Sequence, residues 1–365
     1  MIERLKVNGY LSLVDAEIRF TPLTLLLGRN GAGKSALLDS LERLGSYARG
    51  GVDRAFGPPP YSLGFLRSRG HGDLPATSFE VDLRVDGELF RYKLSLDEVQ
   101  GQAKVREERV LKVSSGMVIA AWSRRSPPTS GTVLRPDAPN PILDQIASRL
   151  KNVHVFDLNP REIERPSDER QPALNRDGFG VGSFLAHLQE HEPKRFEELD
   201  QRLREMRPGT TALRVWGGAA GQLFWGIEEP QSRDWRYPAP LLSWGDRVLV
   251  GILCILFAAD PGNVVGLEEV DRGFHPSRYD AVVDLLSEAS GQGVGGRGPV
   301  QIIATSHSPA LVSRFQHRLG ELRLVSRTAG GTTTIVTMAD AVKEKLGTEE
   351  TSAPLGEAWA MGLLD

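Results

Sequence analysis

The sequence predicts an α/β fold: a mainly parallel sheet covered by helices, with a β-rich lobe and a small helical insert. Three observations lead there. A short apolar strand passes through a glycine-rich loop into a helix over residues 23–44, and two alternating runs flank Asp86-Gly87. The last third then interleaves strands and helices, as in "NVVGLEEV", "SRYDAVVDLLSEA" and "VQIIATS". Such interleaving implies a sheet buried on both faces.

Taken in order, "ERLKVNGYLSLVDAEIRF" alternates in strand fashion, residues 23–27 form a buried strand, and residues 34–44 have helical apolar spacing. The Gly/Pro-rich stretch "YARGGVDRAFGPPPYSLGFLRSRGHGDLP" reads as an irregular loop. "SFEVDLRVDGELFRYKLSL" is a hairpin about Asp86-Gly87, and "VLKVSSGMVIAAW" repeats the pattern about Ser115-Gly116. "NVHVFDL" returns to the main sheet and leads into a polar loop. Residues 181–206 are helical with a break near Pro193, "ALRVWGG" and "GQLFWGIEE" pair as strands, and helix 245–259 is apolar enough to be buried. A single domain is expected, with a loop and β-rich lobe at 1–160, an insert at 161–240 and a final lobe at 241–365.

A chain of 365 residues, 40% of them hydrophobic, can bury a large core. Its longest apolar run, residues 248–259, falls short of the ~18 residues that cross a bilayer. The opening "MIERLKVNGY" lacks a signal-peptide layout, so the expected location is cytoplasmic, without membrane insertion. The one cysteine, Cys254, excludes an internal disulfide framework and sits in an apolar stretch as a core thiol. A net charge of −3 gives no global attraction to nucleic acid, although a local basic face can exist on an acidic protein.

Gly28-Arg29-Asn30-Gly31-Ala32-Gly33-Lys34-Ser35 fits G-x-x-x-x-G-K-[ST] between a strand and a helix, the context that a phosphate-binding loop needs. Glycines let backbone N–H groups curl around an anion, and the helix N-terminus favours negative charge. Lys34 then reaches the β- and γ-phosphates of a nucleotide, and the Ser35 hydroxyl ligates Mg²⁺. The strand at 264–267 ends in Glu268 and Glu269. In a phosphate-loop enzyme the first acid positions Mg²⁺ and the second activates water; on its own, such a pair is a solvated turn. "VQIIATSHSP" places His307 after a neighbouring strand, either against a γ-phosphate or as a hydrogen-bonded loop histidine. Ser243 and Gly245 open the apolar helix, as anion donors or as a plain cap.

In this order the four elements resemble the ATP-binding-cassette type of P-loop NTPase, and within it the heads of the RecF and SMC proteins. The closest resemblance is to the stand-alone, OLD-like AAA-21 type of ATPase. "GRNGAGKS" corresponds to Walker A, "LSWGD" to the signature, "VVGLEEVDRGFHP" to Walker B with its following turn, and "IIATSHSP" to the switch histidine. The resemblance implies ATP and Mg²⁺ as cofactors, with Arg29, Asn30, Gly31, Ala32, Gly33, Lys34 and Ser35 on the phosphates. It further implies Ser35 and Glu268 at the metal, Glu269 and His307 in catalysis, and Ser243 and Gly245 on the γ-phosphate of a second protomer. Two heads then close around two ATP molecules. The chain departs from the family where Val270 replaces the usual proline and Glu268 the commoner aspartate. No glutamine occurs between Ser35 and Val99, where a Mg²⁺-contacting one is expected, although His71 lies there. Trp244 is bulky for the signature; it either packs against a partner or covers the helix end.

The leading expectation is therefore an ATPase whose ATP-bound homodimer serves a nucleic-acid process, DNA repair or anti-phage defence, with a separately encoded nuclease or other effector. The alternatives are a nucleotide-sensing scaffold with little hydrolysis and the energy subunit of a transporter. Arg161, Arg165, Arg170 and Arg176 form either a basic segment for DNA or a solvated loop interleaved with acids. Trp216, Trp225 and Trp235, with Phe224 and Tyr237, either stack on bases or belong to the core.

Overall fold

The computed structural model describes residues 1–69, 76–123, 132–134, 140–168, 173–218, 221–230, 236–346 and 354–364. They divide into two compact units, one of residues 1–154 and 315–365 and the other of residues 155–314.

The first unit contains a six-stranded antiparallel sheet in the order Leu13–Arg19, Ile2–Tyr10, Thr77–Val85, Glu88–Val99, Gln102–Lys112, Val118–Ser123. Period-2 alternation sets its register: Val7 pairs with Ala16 on one side and Phe79 on the other, and all three are buried. Asp86 and Gly87 both have positive φ, as a two-residue hairpin turn demands. Gln100 and Gly101 repeat that geometry and close a second hairpin that the sequence reading did not resolve. Its sign was a single glycine within a polar run.

The same unit holds the strand Leu23–Leu27, buried at every position, parallel to Leu322–Arg327, which pairs antiparallel with Thr333–Thr337. The helix Lys34–Gly50 follows the loop and buries Leu37, Leu38, Leu41 and Leu44. It runs six residues past the expected end because Tyr47 and Ala48 are buried too, and Arg49 donates to the carbonyls of Lys151 (2.7 Å) and Val153 (2.8 Å). The following Gly/Pro-rich stretch is not wholly irregular, since short helices form at Val52–Ala55 and Leu63–Leu66.

In the second unit the strands Val264–Leu267 and Gln301–Ser306 run parallel, Val265 beside Ile302, and both are fully buried. The helix Trp244–Ala258 is buried from Val248 to Phe257, and Cys254 lies within it as a core thiol whose pKa burial raises. Helices Val181–His191 and Pro193–Met206 break at Pro193, which occupies the first helical turn of the second. A small antiparallel sheet of Ala212–Gly217, Gln222–Glu228 and Arg236–Pro238 buries Leu213, Leu223, Trp225 and Ile227 on one face. Among the described residues no helix is long and apolar enough to cross a membrane.

Candidate functional site

The phosphate loop lies wholly in the first unit. Gly28 has a positive φ, and a Cβ there would fall on the Val325 carbonyl, so the close passage of the neighbouring strand requires glycine. Gly33, also at positive φ, caps the helix; a Cβ on it would meet the Thr333 hydroxyl. That hydroxyl donates to the Ala32 carbonyl (2.9 Å) and pins the loop from outside. Lys34 is buried, and its Nζ donates to the carbonyls of Gly28 (2.7 Å) and Arg29 (3.1 Å), across the mouth of the loop. The N–H groups of Asn30, Gly31 and Gly33 have no acceptor among the described residues, and Arg29, Asn30, Gly31 and Ser35 are exposed. Arg29, Asn30, Gly31, Ala32 and Arg327 line a cleft of about 620 Å³ beside the loop. An ammonium group, free backbone donors and a helix N-terminus on one loop fit a phosphate chain.

The acids, the histidine and the capped helix lie in the second unit. Glu268 N–H donates to the Phe156 carbonyl (2.8 Å), and its carboxylate meets Arg176 at 3.2 Å. Glu269 has φ 47°, a left-handed conformation rarely adopted outside glycine. The strain is held by its N–H bond to Thr305 Oγ1 (2.8 Å) and by the Val270 N–H bond to the Thr305 carbonyl (3.0 Å). Thus Thr305 ties the acid turn to the strand end that bears the exposed His307. Val270, which stands where the family has proline, is buried and uses the N–H that proline lacks. Asp271, which the sequence reading passed over, is buried behind the turn; burial raises its pKa, opposed by Ser306 and the charge of His307.

Ser243 caps the helix, its Oγ accepting from Asp246 N–H at 3.2 Å. Gly245 packs against Gly273, and the Trp244 indole lies over that same Gly273, while its side chain remains 43% exposed. Trp244 thus packs on the turn that follows the acids and leaves part of its surface exposed.

The structure separates the candidate nucleic-acid residues. Trp225 is core, its Nε1 donating to the Ile163 carbonyl (2.9 Å). Trp216 and Phe224 pair at 6.2 Å on the opposite face, with Arg236 over Trp216. Arg165 pairs with Glu162 at 2.6 Å and Arg176 with Glu268. Arg161 is exposed, whereas His71, Arg170 and Trp235 lie outside the described residues.

Among the described residues no three His, Cys, Asp or Glu side chains form a metal cluster. Ser35 is exposed in the first unit, and Glu268 in the second meets Arg176.

The family described as "AAA domain, putative AbiEii toxin, Type IV TA system" matches residues 23–313. An SMC head bound to the C-winged helix domain of ScpA is 16% identical, with 92% of this chain and 97% of that chain covered at TM-score 0.56. An SMC head with an extended coiled coil, bound to the C-terminal domain of ScpA derived from Pyrococcus furiosus, is 15% identical, with 95% and 99% covered at TM-score 0.51. No curated protein matches the sequence. The structural likeness gives the fold, that of an SMC head. With four-fifths of its length matched, the chain belongs to this AAA family.

Proposed function

We propose that the protein binds ATP with Mg²⁺ and hydrolyses it, two copies closing around two nucleotides. The cycle serves a nucleic-acid process, DNA repair or anti-phage defence, through a separately encoded nuclease or other effector. The observation that carries ATP binding is the buried Lys34, whose Nζ lies across the mouth of a glycine-built loop at a helix N-terminus. A triphosphate can replace the two carbonyls as its partner, with gain of a full charge pair. Bound Mg²⁺ supplies neutralisation of the phosphate oxygens, with Ser35 and Glu268 as its protein-side oxygens. Glu269 takes the proton of the attacking water, and His307 contacts the γ-phosphate. Ser243 and Gly245 serve the partner's nucleotide.

The test is light-scattering mass of Glu269→Gln with and without Mg-ATP, repeated with short duplex DNA. An amide cannot take the water's proton, so the variant holds ATP and accumulates as a dimer; Lys34→Ala binds no ATP and stays monomeric. A mass unmoved by bound ATP overturns the dimer, and failure of that dimer to retain DNA overturns direct nucleic-acid contact. A second reading, a nucleotide-sensing scaffold that turns over slowly, is favoured by one observation: Glu268, the acid assigned to the metal, is already engaged by Arg176.

A further inference from the structure

Three residues after Glu269 the chain turns back on itself, with Arg272 N–H donating to the Glu269 carbonyl at 2.8 Å. The Arg272 side chain follows the turn and closes on the acid. Its Nε lies 2.6 Å and its Nη2 2.5 Å from the same carboxylate oxygen, Oε2 of Glu269. Its Nη1 lies 3.1 Å from Asp157 Oδ1. Asp157 is in turn fixed by its N–H, which donates to the Arg176 carbonyl at 2.9 Å. The result is a chain of three charged groups, carboxylate, guanidinium and carboxylate, on a backbone already held at positive φ by Thr305.

The asymmetry at Glu269 matters most. Both guanidinium nitrogens meet Oε2, and Oε1 has no partner among the described residues. A carboxylate held by one oxygen presents the other in a defined direction, since rotation about its side-chain bonds would break a charge-assisted hydrogen bond and an ion pair. Asp157 shares the guanidinium, and the formal charges of the three groups sum to −1.

We infer that Arg272 is a positioning residue for ATP hydrolysis, anchoring Glu269 through Oε2 so that Oε1 receives the proton of the attacking water. The inference rests on the proposed role of Glu269 as base. In the step, the water's proton passes to Oε1 as its oxygen bonds the γ-phosphorus, and the β–γ bridging oxygen leaves with its electron pair on ADP. Arg272 touches neither nucleotide nor water.

The experiment compares steady-state ATP hydrolysis, ATP affinity and thermal unfolding for wild type, Arg272→Ala, Arg272→Lys and Glu269→Gln. Arg272→Ala lowers kcat by about 10- to 100-fold, part of the contribution of a general base, with KM and ATP Kd unchanged. Arg272→Lys restores part of the loss, because an ammonium group can still hold Oε2. Wild-type kcat in Arg272→Ala overturns the inference, as does a lysine variant no better than alanine. If Glu269→Gln is inactive while Arg272→Ala is fully active, only the positioning role falls; if Glu269→Gln turns over at the wild-type rate, the base itself is misassigned.

Discussion

Gly245 stands so close to Gly273 that a Cβ on it would overlap the Gly273 carbonyl oxygen. The capped start of the long buried helix and the turn that follows the two glutamates are therefore in backbone contact. Gly245→Ala must push them apart, and overpacking of this kind costs about 1–3 kcal/mol. Urea unfolding of the variant measures the loss; unchanged stability would mean that the helix start can yield without cost.

Thr305 carries the second connection in this unit. Thr305→Val keeps the shape of the side chain and removes the oxygen that accepts from Glu269 N–H. A part-buried donor left without a partner costs about 1–3 kcal/mol, and the positive φ of Glu269 loses one of its two restraints. We expect a lower melting temperature together with a fall in kcat larger than any change in ATP Kd. Equal losses in both kinetic parameters would show that the substitution acts on binding instead.

Much of this was legible in the sequence, for physical reasons that differ along the chain. The phosphate loop could be read because its glycines, lysine and serine are required at fixed spacing by backbone conformations that other residues resist. The strands at 264–267 and 301–306 could be read because burial on both faces leaves them a short apolar core, Val264–Leu267 in one and Ile302–Ala304 in the other. Arg272, Asp157 and Arg176 could not, because an exposed arginine on a polar turn has the same local signature whether it meets a catalytic acid or water. The aromatics were ambiguous for a related reason: Trp216 and Trp225 occupy neighbouring strands, and only the register shows that they face opposite ways.

That difference gives a sharp contrast. Trp225→Ala removes a fully buried ring and its bond to the Ile163 carbonyl, and should cost about 3–5 kcal/mol. Trp216→Ala removes a half-exposed ring stacked on Phe224 and should cost about 1 kcal/mol. Chemical denaturation of both variants checks this, and equal costs would contradict the two-faced sheet.

The phosphate loop makes its own demand. Gly28→Ala sets a methyl group against the Val325 carbonyl, while Gly33→Ala meets side-chain atoms of Thr333 and Ser12. Backbone cannot move aside as a hydroxyl can, and both positions also have positive φ. Both variants should lose ATP affinity, Gly28→Ala also losing the greater stability; calorimetric titration with ATP and a thermal melt separate the two effects. Gly31 also has positive φ but no atom within 4 Å of an added Cβ, so Gly31→Ala strains the loop only through its backbone.

Asp246 sets a pH dependence of stability. Its carboxylate lies 2.6 Å from Arg278 and 3.2 Å from Arg207, and Arg207 also meets Glu229 at 2.8 Å. Burial alone would raise its pKa, but the hydrogen bonds from Arg278 and Ser243 and the charge of Arg207 hold it below the ordinary 3.8. A depressed carboxyl pKa contributes stability that is fully present above the unfolded value and is lost as pH falls through the lower folded value. Asp246→Asn should therefore cost about 2–3 kcal/mol at pH 7, less than a wholly buried pair because Arg278 is part-exposed. The gap between wild type and variant should stay constant down to about pH 5 and close below about pH 4, as the wild-type carboxylate takes up its proton. Urea unfolding across that range gives the gap directly. A constant gap through the acid range would mean that the asparagine acts through packing, and that the ion pairs contribute little.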